Sequence, residues 1–261
     1  MSDGSEPRPS AHPCPDPRAA QGPTRLALAA PVAALLLMGA LHLHPGYSPL
    51  HDVLSSYALS PVTAGFFTAA VLAMAVAVGA LGASLGRLLP AARTPLLRAA
   101  LAVSVAAFAA TALFPTDPET PHTATGFIHR YAAGTAFAAL AVAGSLLARR
   151  LRGTDGWERT GRRLTGWAVV TWWGIAVFAV AHVRVLWPAS AAADMLSWFP
   201  ERGIVQRLLL CAQIALLLAV ARPLHAAART AARPISPGVP QPVVTRVELE
   251  GVEAGRPLTP A

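Results

Sequence analysis

Apolar residues along this chain gather into six long runs: Leu26–Leu43, Val62–Leu85, Leu96–Phe114, Thr123–Ala148, Leu164–Trp187 and Gly203–Ala221. Stretches of about 20 residues with almost no charge suffice for a helix rising 1.5 Å per residue to cross a hydrocarbon core of roughly 30 Å. A membrane barrel would need segments of about ten residues alternating with period two, and the Ala, Leu and Val blocks do not alternate. The pattern predicts an all-α polytopic membrane protein, with a bundle of six transmembrane helices over residues 25–222. Residues 1–24 are rich in proline and small polar residues and lack apolar periodicity, and 223–261 run from a short basic stretch into a Pro-rich, mildly acidic one. Both are expected to be disordered tails. The first run is followed by His44-Pro45-Gly46 rather than by a small-residue cleavage motif, so it is expected to be retained as a helix. Gly79, Gly82 and Gly86 on the second run suit close helix approach.

Composition narrows the class. Only 13% of the residues are charged, against about 25% in soluble domains, which argues against a soluble fold. The net charge of +8 comes from arginine alone, with no lysine. These arginines sit between apolar runs, not on an amphipathic face or among stacking aromatics, so membrane lipids rather than nucleic acid are the expected partners. Arg87, Arg93 and Arg98 flank the second connection, and Arg149, Arg150, Arg152, Arg159, Arg162 and Arg163 crowd the fourth. The first connection, Pro45–Pro61, has none, and the third has none before Arg130. The positive-inside rule then puts both termini in the cytoplasm of a cell inner membrane, with the first, third and fifth connections outside. Arg184 and Arg202 make the fifth the least basic-poor of the three. Cys14 and Cys211 form no CxxC or Cys/His spacing, so neither a disulfide framework nor a structural zinc site is implied.

The outer connections hold the chemistry. In HPGYSPLHDVLSSYALSP, Ser48-Pro49 is a cap and first-turn pair, and Leu50, Val53, Leu54 and Tyr57 at helical spacing predict a short interfacial helix whose other face presents Asp52, Ser55 and Ser56. In FPTDPETPHTATGFIHRY, Thr120-Pro121 reads as a helix start that makes His122 one of the first residues of the fourth helix. His129 then follows seven residues later on the same face, about 10 Å along the axis and too far for joint ligation of one ion. Asp117 before Pro118 suits a turn cap. His182 near the end of the fifth run, and Asp194, Glu201 and Arg207 around the start of the sixth, complete the set. Arg207 is expected to pair with Asp52, Asp117 or Glu201.

Three of these segments, HPGYSPLHDVLSSY, FPTDPE with a following His, and GIVQR, resemble the bacterial integral-membrane family catalogued as domain of unknown function 998, over roughly residues 26–222. The resemblance implies a multi-helix membrane fold and no assigned reaction. It also implies an acidic residue directly after the serine of the first motif, where this chain has Ser56 and then Tyr57. A more distant resemblance is to the membrane hydrolases that include alkaline ceramidases, which use a Ser, an Asp and three His around zinc. Ser55, Asp117, His122, His129 and His182 supply those residue types, but the closely spaced histidine pair on a late helix is absent. The functional expectation is therefore an outer polar cluster of Asp52, Ser55, Asp117, His122, His129, His182, Glu201 and Arg207 that binds a small ligand or lipid headgroup or simply ties the helices together, with no cofactor assigned. The alternative is a zinc-dependent lipid hydrolase with metal ligands drawn from His122, His129, His182 and Asp117. A transporter is disfavoured, since the charges lie at the outer ends and not at the midplane.

Overall fold

The computed structural model describes residues 17–118, 123–186, 191, 195 and 199–232. Its six long helices are α1 (Gln21–Leu41), α2 (Pro61–Leu88), α3 (Pro95–Leu113), α4 (Ala124–Arg152), α5 (Glu158–Leu186) and α6 (Arg202–Ala231), and there is no strand among the described residues. All six are long and apolar enough to cross a bilayer. The chain is a multi-pass membrane protein.

Local chemistry sets the helix starts. Pro61 opens α2 and Pro95 opens α3, positions where a missing N–H costs nothing. Thr94 Oγ1 accepts from Leu97 N at 3.2 Å, and Thr123 Oγ1 accepts from Gly126 N at 3.1 Å, so hydroxyls cap α3 and α4. Arg149, Arg150 and Arg152 lie in the last turn of α4, where cations offset the helix dipole. The arginine-rich fourth connection thus shrinks to a tight turn, and Arg159, Arg162 and Arg163 lie on the first turns of α5.

Two sets of boundaries move outward. Residues 17–24, placed in the N-terminal tail by their composition, form a short 3-10 turn and the first residues of α1, and α6 continues to Ala231. The rest of each predicted tail lies outside the described residues.

Each helix packs against its neighbours in sequence, and α6 closes the ring by packing on α1 as well as α5, reaching across to α2 and α4. The core is built from alanine, leucine and valine of all six helices, though α5 contributes little beyond Leu164 and Ala168 and turns Trp167, Trp172 and Trp173 outward. Outward aromatic and aliphatic side chains are the normal state of a helix facing lipid. A methyl group added at Gly79 or Gly82 would meet Val105 or Leu101 of α3 at an ordinary 3.9 or 3.6 Å, so the approach of α2 to α3 does not depend on glycine at either position. Buried hydroxyls of Ser84, Thr111 and Thr171 donate to carbonyls one turn back, which satisfies them within their own helices. Between helices, fully buried Gln213 of α6 donates from Nε2 to the Phe137 carbonyl of α4 at 3.0 Å. Such a bond is worth about 0.6 to 2 kcal/mol in a bilayer. At one end of the bundle Thr24 Oγ1 meets His225 Nδ1 at 3.1 Å, joining the start of α1 to the end of α6. The opposite end, the mouth, holds the first connection, the end of α3, the start of α4 and the start of α6.

Candidate functional site

The mouth is organised by the first turn of α6 and the connection between α1 and α2. Ile204 N donates to Leu50 O at 3.1 Å, and Gln206 Oε1 accepts from Leu54 N at 2.6 Å. Arg207 Nη1 donates to the Asp52 backbone carbonyl at 2.7 Å and to Gly203 O at 2.9 Å. A methyl group on Gly203 would fall 2.6 Å from the carbonyl oxygens of both Leu50 and Asp52, so only glycine lets this backbone lie flat on α6. The short interfacial helix expected from Ser48-Pro49 onward does not form from that start. The connection forms a turn over 49–51 and a 3-10 helix over Leu54–Leu59, with the Leu50 and Asp52 carbonyls and the Leu54 amide taken by α6.

Arg207 is the centre of the cluster. Its Nε donates to His42 Nε2 at 2.7 Å. No carboxylate lies within 4 Å of its guanidinium among the described residues. The expected ion pair with Asp52 is replaced by a bond to that residue's main chain. The Asp52 carboxylate turns back to accept from Ser48 N at 2.7 Å, and Glu201 sits 3.7 Å from His51. Tyr57 is fully buried, with its hydroxyl beside the guanidinium. Its ring packs on Tyr47 at 4.7 Å and edge-on to His42 at 5.9 Å. Within this cluster Arg207 Nη2, Tyr57 Oη and His44 Nδ1 are all buried with no hydrogen-bond partner. Three such orphaned groups in one place are costly, because each forgoes the hydrogen bonds it makes in water. Half-buried Ser55 lies on the 3-10 helix that presents Tyr57.

The other candidates form a separate group at the junction of α3 and α4. Asp117 accepts from Thr123 N at 2.7 Å and from Thr123 Oγ1 at 2.6 Å. The helix it caps starts at Ala124, later than Thr120-Pro121 suggested, and His122 lies outside the described residues. A methyl group on Gly126 would collide with the Asp117 carboxylate, whose oxygen lies 1.8 Å from that position. His129 is buried, 4% exposed, with Nδ1 at 3.0 Å from Phe114 O and its ring 6.0 Å from Phe67. It pins the end of α3 to α4. His182 likewise turns Nδ1 to its own helix, 3.0 Å from Phe178 O, and packs edge-on to the Phe178 ring at 4.2 Å.

Zinc requires three or four donors about 2 Å from one point. Among the described residues no three His, Cys, Asp or Glu come together in that way. Of the donors proposed for zinc, the described ones, Asp117, His129 and His182, do not converge on one point: Asp117 is engaged at the start of α4, and no group of three donors forms among the described residues.

The family model described as Protein of unknown function (DUF998) matches residues 27–223, from α1 into the last turns of α6. The chain belongs to the DUF998 family. No curated protein and no solved structure matches it significantly. Two of the motifs by which the chain resembles DUF998, HPGYSPLHDVLSSY and GIVQR, are the two halves of the mouth cluster: Gly203, Ile204, Gln206 and Arg207 each touch the first motif's backbone. Sequence reasoning missed His42, His44 and Tyr57 as members of this DUF998 site. The available signal was HLHPGY, two ionisable side chains at the end of an apolar run, where polar groups are retained only with a partner or a role.

Proposed function

We propose that this DUF998 protein binds an anion at its mouth, and that the anion is the phosphate of a lipid headgroup presented on the extracytoplasmic side. The observation that carries this reading is the half-filled hydrogen-bonding shell of Arg207. A half-buried guanidinium with no carboxylate within 4 Å among the described residues leaves its buried Nη2 donors without a partner. Its one unpartnered nitrogen, Nη2, can donate to a phosphate oxygen, an acceptor that guanidinium binds well. The buried Tyr57 hydroxyl beside it, which makes no well-formed hydrogen bond, supplies a second donor. Orientation is supported by charge: Arg87, Arg93, Arg149, Arg150, Arg152, Arg159, Arg162 and Arg163 all cluster at the opposite end, which the positive-inside rule assigns to the cytoplasm, with both termini.

The test is a calorimetric titration of the full chain, purified in neutral detergent, with glycerol 1-phosphate. Saturable binding is expected, weakened in Arg207→Gln by roughly ten- to a hundredfold, since a charged hydrogen bond is worth about 1.5–3 kcal/mol. Tyr57→Phe should weaken it less while leaving the fold intact. Equal affinity in wild type and Arg207→Gln would remove the basis of the proposal.

A further inference from the structure

We infer that the ligand reaches this site sideways, as a membrane lipid whose acyl chain lies in the groove between the end of α1 and the start of α2; this rests on the anion site proposed above. The groove has a volume of about 230 Å³ and runs between Ala40, Leu43 and His44 on one side and Val62, Thr63 and Phe66 on the other. That is below the ~300–1,000 Å³ of pockets that enclose whole small molecules, and it suits a segment of chain. Leu43, Val62 and Phe66 are exposed on its rim. In a membrane-spanning bundle such a rim faces lipid.

The groove meets the polar cluster at His44. His44 lines it, and its Nδ1 is one of the three buried unpartnered groups. Thr63, also in the lining, donates to the Tyr57 carbonyl and so fixes the groove wall to the segment that holds Tyr57 against Arg207. An occupant must therefore be apolar along α1 and α2 and negatively charged at Arg207. A phospholipid with an anionic headgroup has that distribution; a free water-soluble phosphate has only the second half.

Lipid tails are as apolar as the groove, so in a bilayer the groove supplies shape and not transfer free energy. Its effect is to hold the chain so that the headgroup arrives as a tethered group at high local concentration. Thr63 and Phe66 sit on the first turns of α2, so a chain held there keeps the headgroup at the level of the interface.

The experiment is native mass spectrometry of the full chain in detergent, titrated with dioleoylphosphatidylglycerol, beside calorimetry with glycerol 1-phosphate. The wild type is expected to retain the lipid at least about tenfold more tightly than the soluble phosphate. Filling the groove from either wall, by Ala40→Trp or by Val62→Trp, should cost at least that factor for the lipid and leave glycerol 1-phosphate binding unchanged. Two variants on opposite helices guard against one failing to fold. If both filled grooves bind the lipid like wild type, or if the soluble phosphate binds as tightly as the lipid, lateral entry is wrong while the anion site stands. If Arg207→Gln alters neither ligand, the anion site itself is wrong.

Discussion

Gly203→Ala is the sharpest probe of how the first connection is seated on α6. The added methyl carbon would stand 2.6 Å from the carbonyl oxygens of Leu50 and Asp52 and 2.8 Å from the Leu50 carbonyl carbon, all main-chain atoms. Contacts of that kind need about 3.4 Å, so the connection must lift or α6 must tilt by more than half an ångström. Overpacking alone costs about 1–3 kcal/mol. If the connection lifts, it also loosens the Ile204–Leu50 bond and the charged bond from Arg207 to Asp52 O, the latter worth about 1.5–3 kcal/mol. Alanine's better helix propensity offsets at most ~1 kcal/mol. A net loss of about 2–4 kcal/mol is expected. The assay is unfolding in mixed micelles of mild detergent and dodecyl sulfate, followed by circular dichroism. Gly134→Ala is the control, because a methyl group there meets nothing within 4 Å. If the two variants unfold at the same dodecyl sulfate fraction, the close seating of the connection on α6 is wrong.

Tyr57→Phe removes a buried hydroxyl that has no partner, so in the ligand-free protein it should leave stability unchanged or raise it by up to ~1–3 kcal/mol; destabilisation in the same micelle assay would show that the hydroxyl is bonded. Asp117→Ala should cost about 0.5–1.5 kcal/mol through loss of the bonds that hold Thr123, the N-cap of α4. Gly126→Ala, which drives a methyl group into that carboxylate, should cost less in the Asp117→Ala background than alone, with a coupling of about 0.5–3 kcal/mol; strictly additive effects would contradict the contact. With Cys14 and Cys211 replaced, Thr116→Cys in intact cells should react with a membrane-impermeant maleimide, and Thr154→Cys should react only after permeabilisation. The reverse pattern would invert the topology.

The six-helix fold was legible because membrane spans announce themselves by length and lack of charge. Helix ends were less so. Arg149 to Arg152 and Arg159 to Arg163 read as a loop, yet they lie on α4 and α5, since arginine is a good helix former and its long stem reaches polar surroundings from within a helix. Asp117 was legible as a cap from the Asp-Pro pair, whereas the residue it caps, Thr123, lies beyond a second proline that looked like the helix start. The cluster around Arg207 was only half visible. A search for opposite charges finds Asp52, but the guanidinium takes that residue's main-chain oxygen and the ring of His42. Hydrogen bonds to backbone leave no mark in side-chain identity. His129 and His182, two of the histidines offered as metal ligands, each turn Nδ1 to a neighbouring carbonyl, a contact that spacing along one helix does not reveal.

The most direct measurement is an electron-microscopy structure of the protein in nanodiscs of phosphatidylglycerol and phosphatidylcholine. The account expects phosphate density within about 3 Å of Arg207 Nη2 and the Tyr57 hydroxyl, continuing as a chain between α1 and α2. A map at saturating phosphatidylglycerol in which Tyr57 closes directly on Arg207, with no anion beside them, would contradict it.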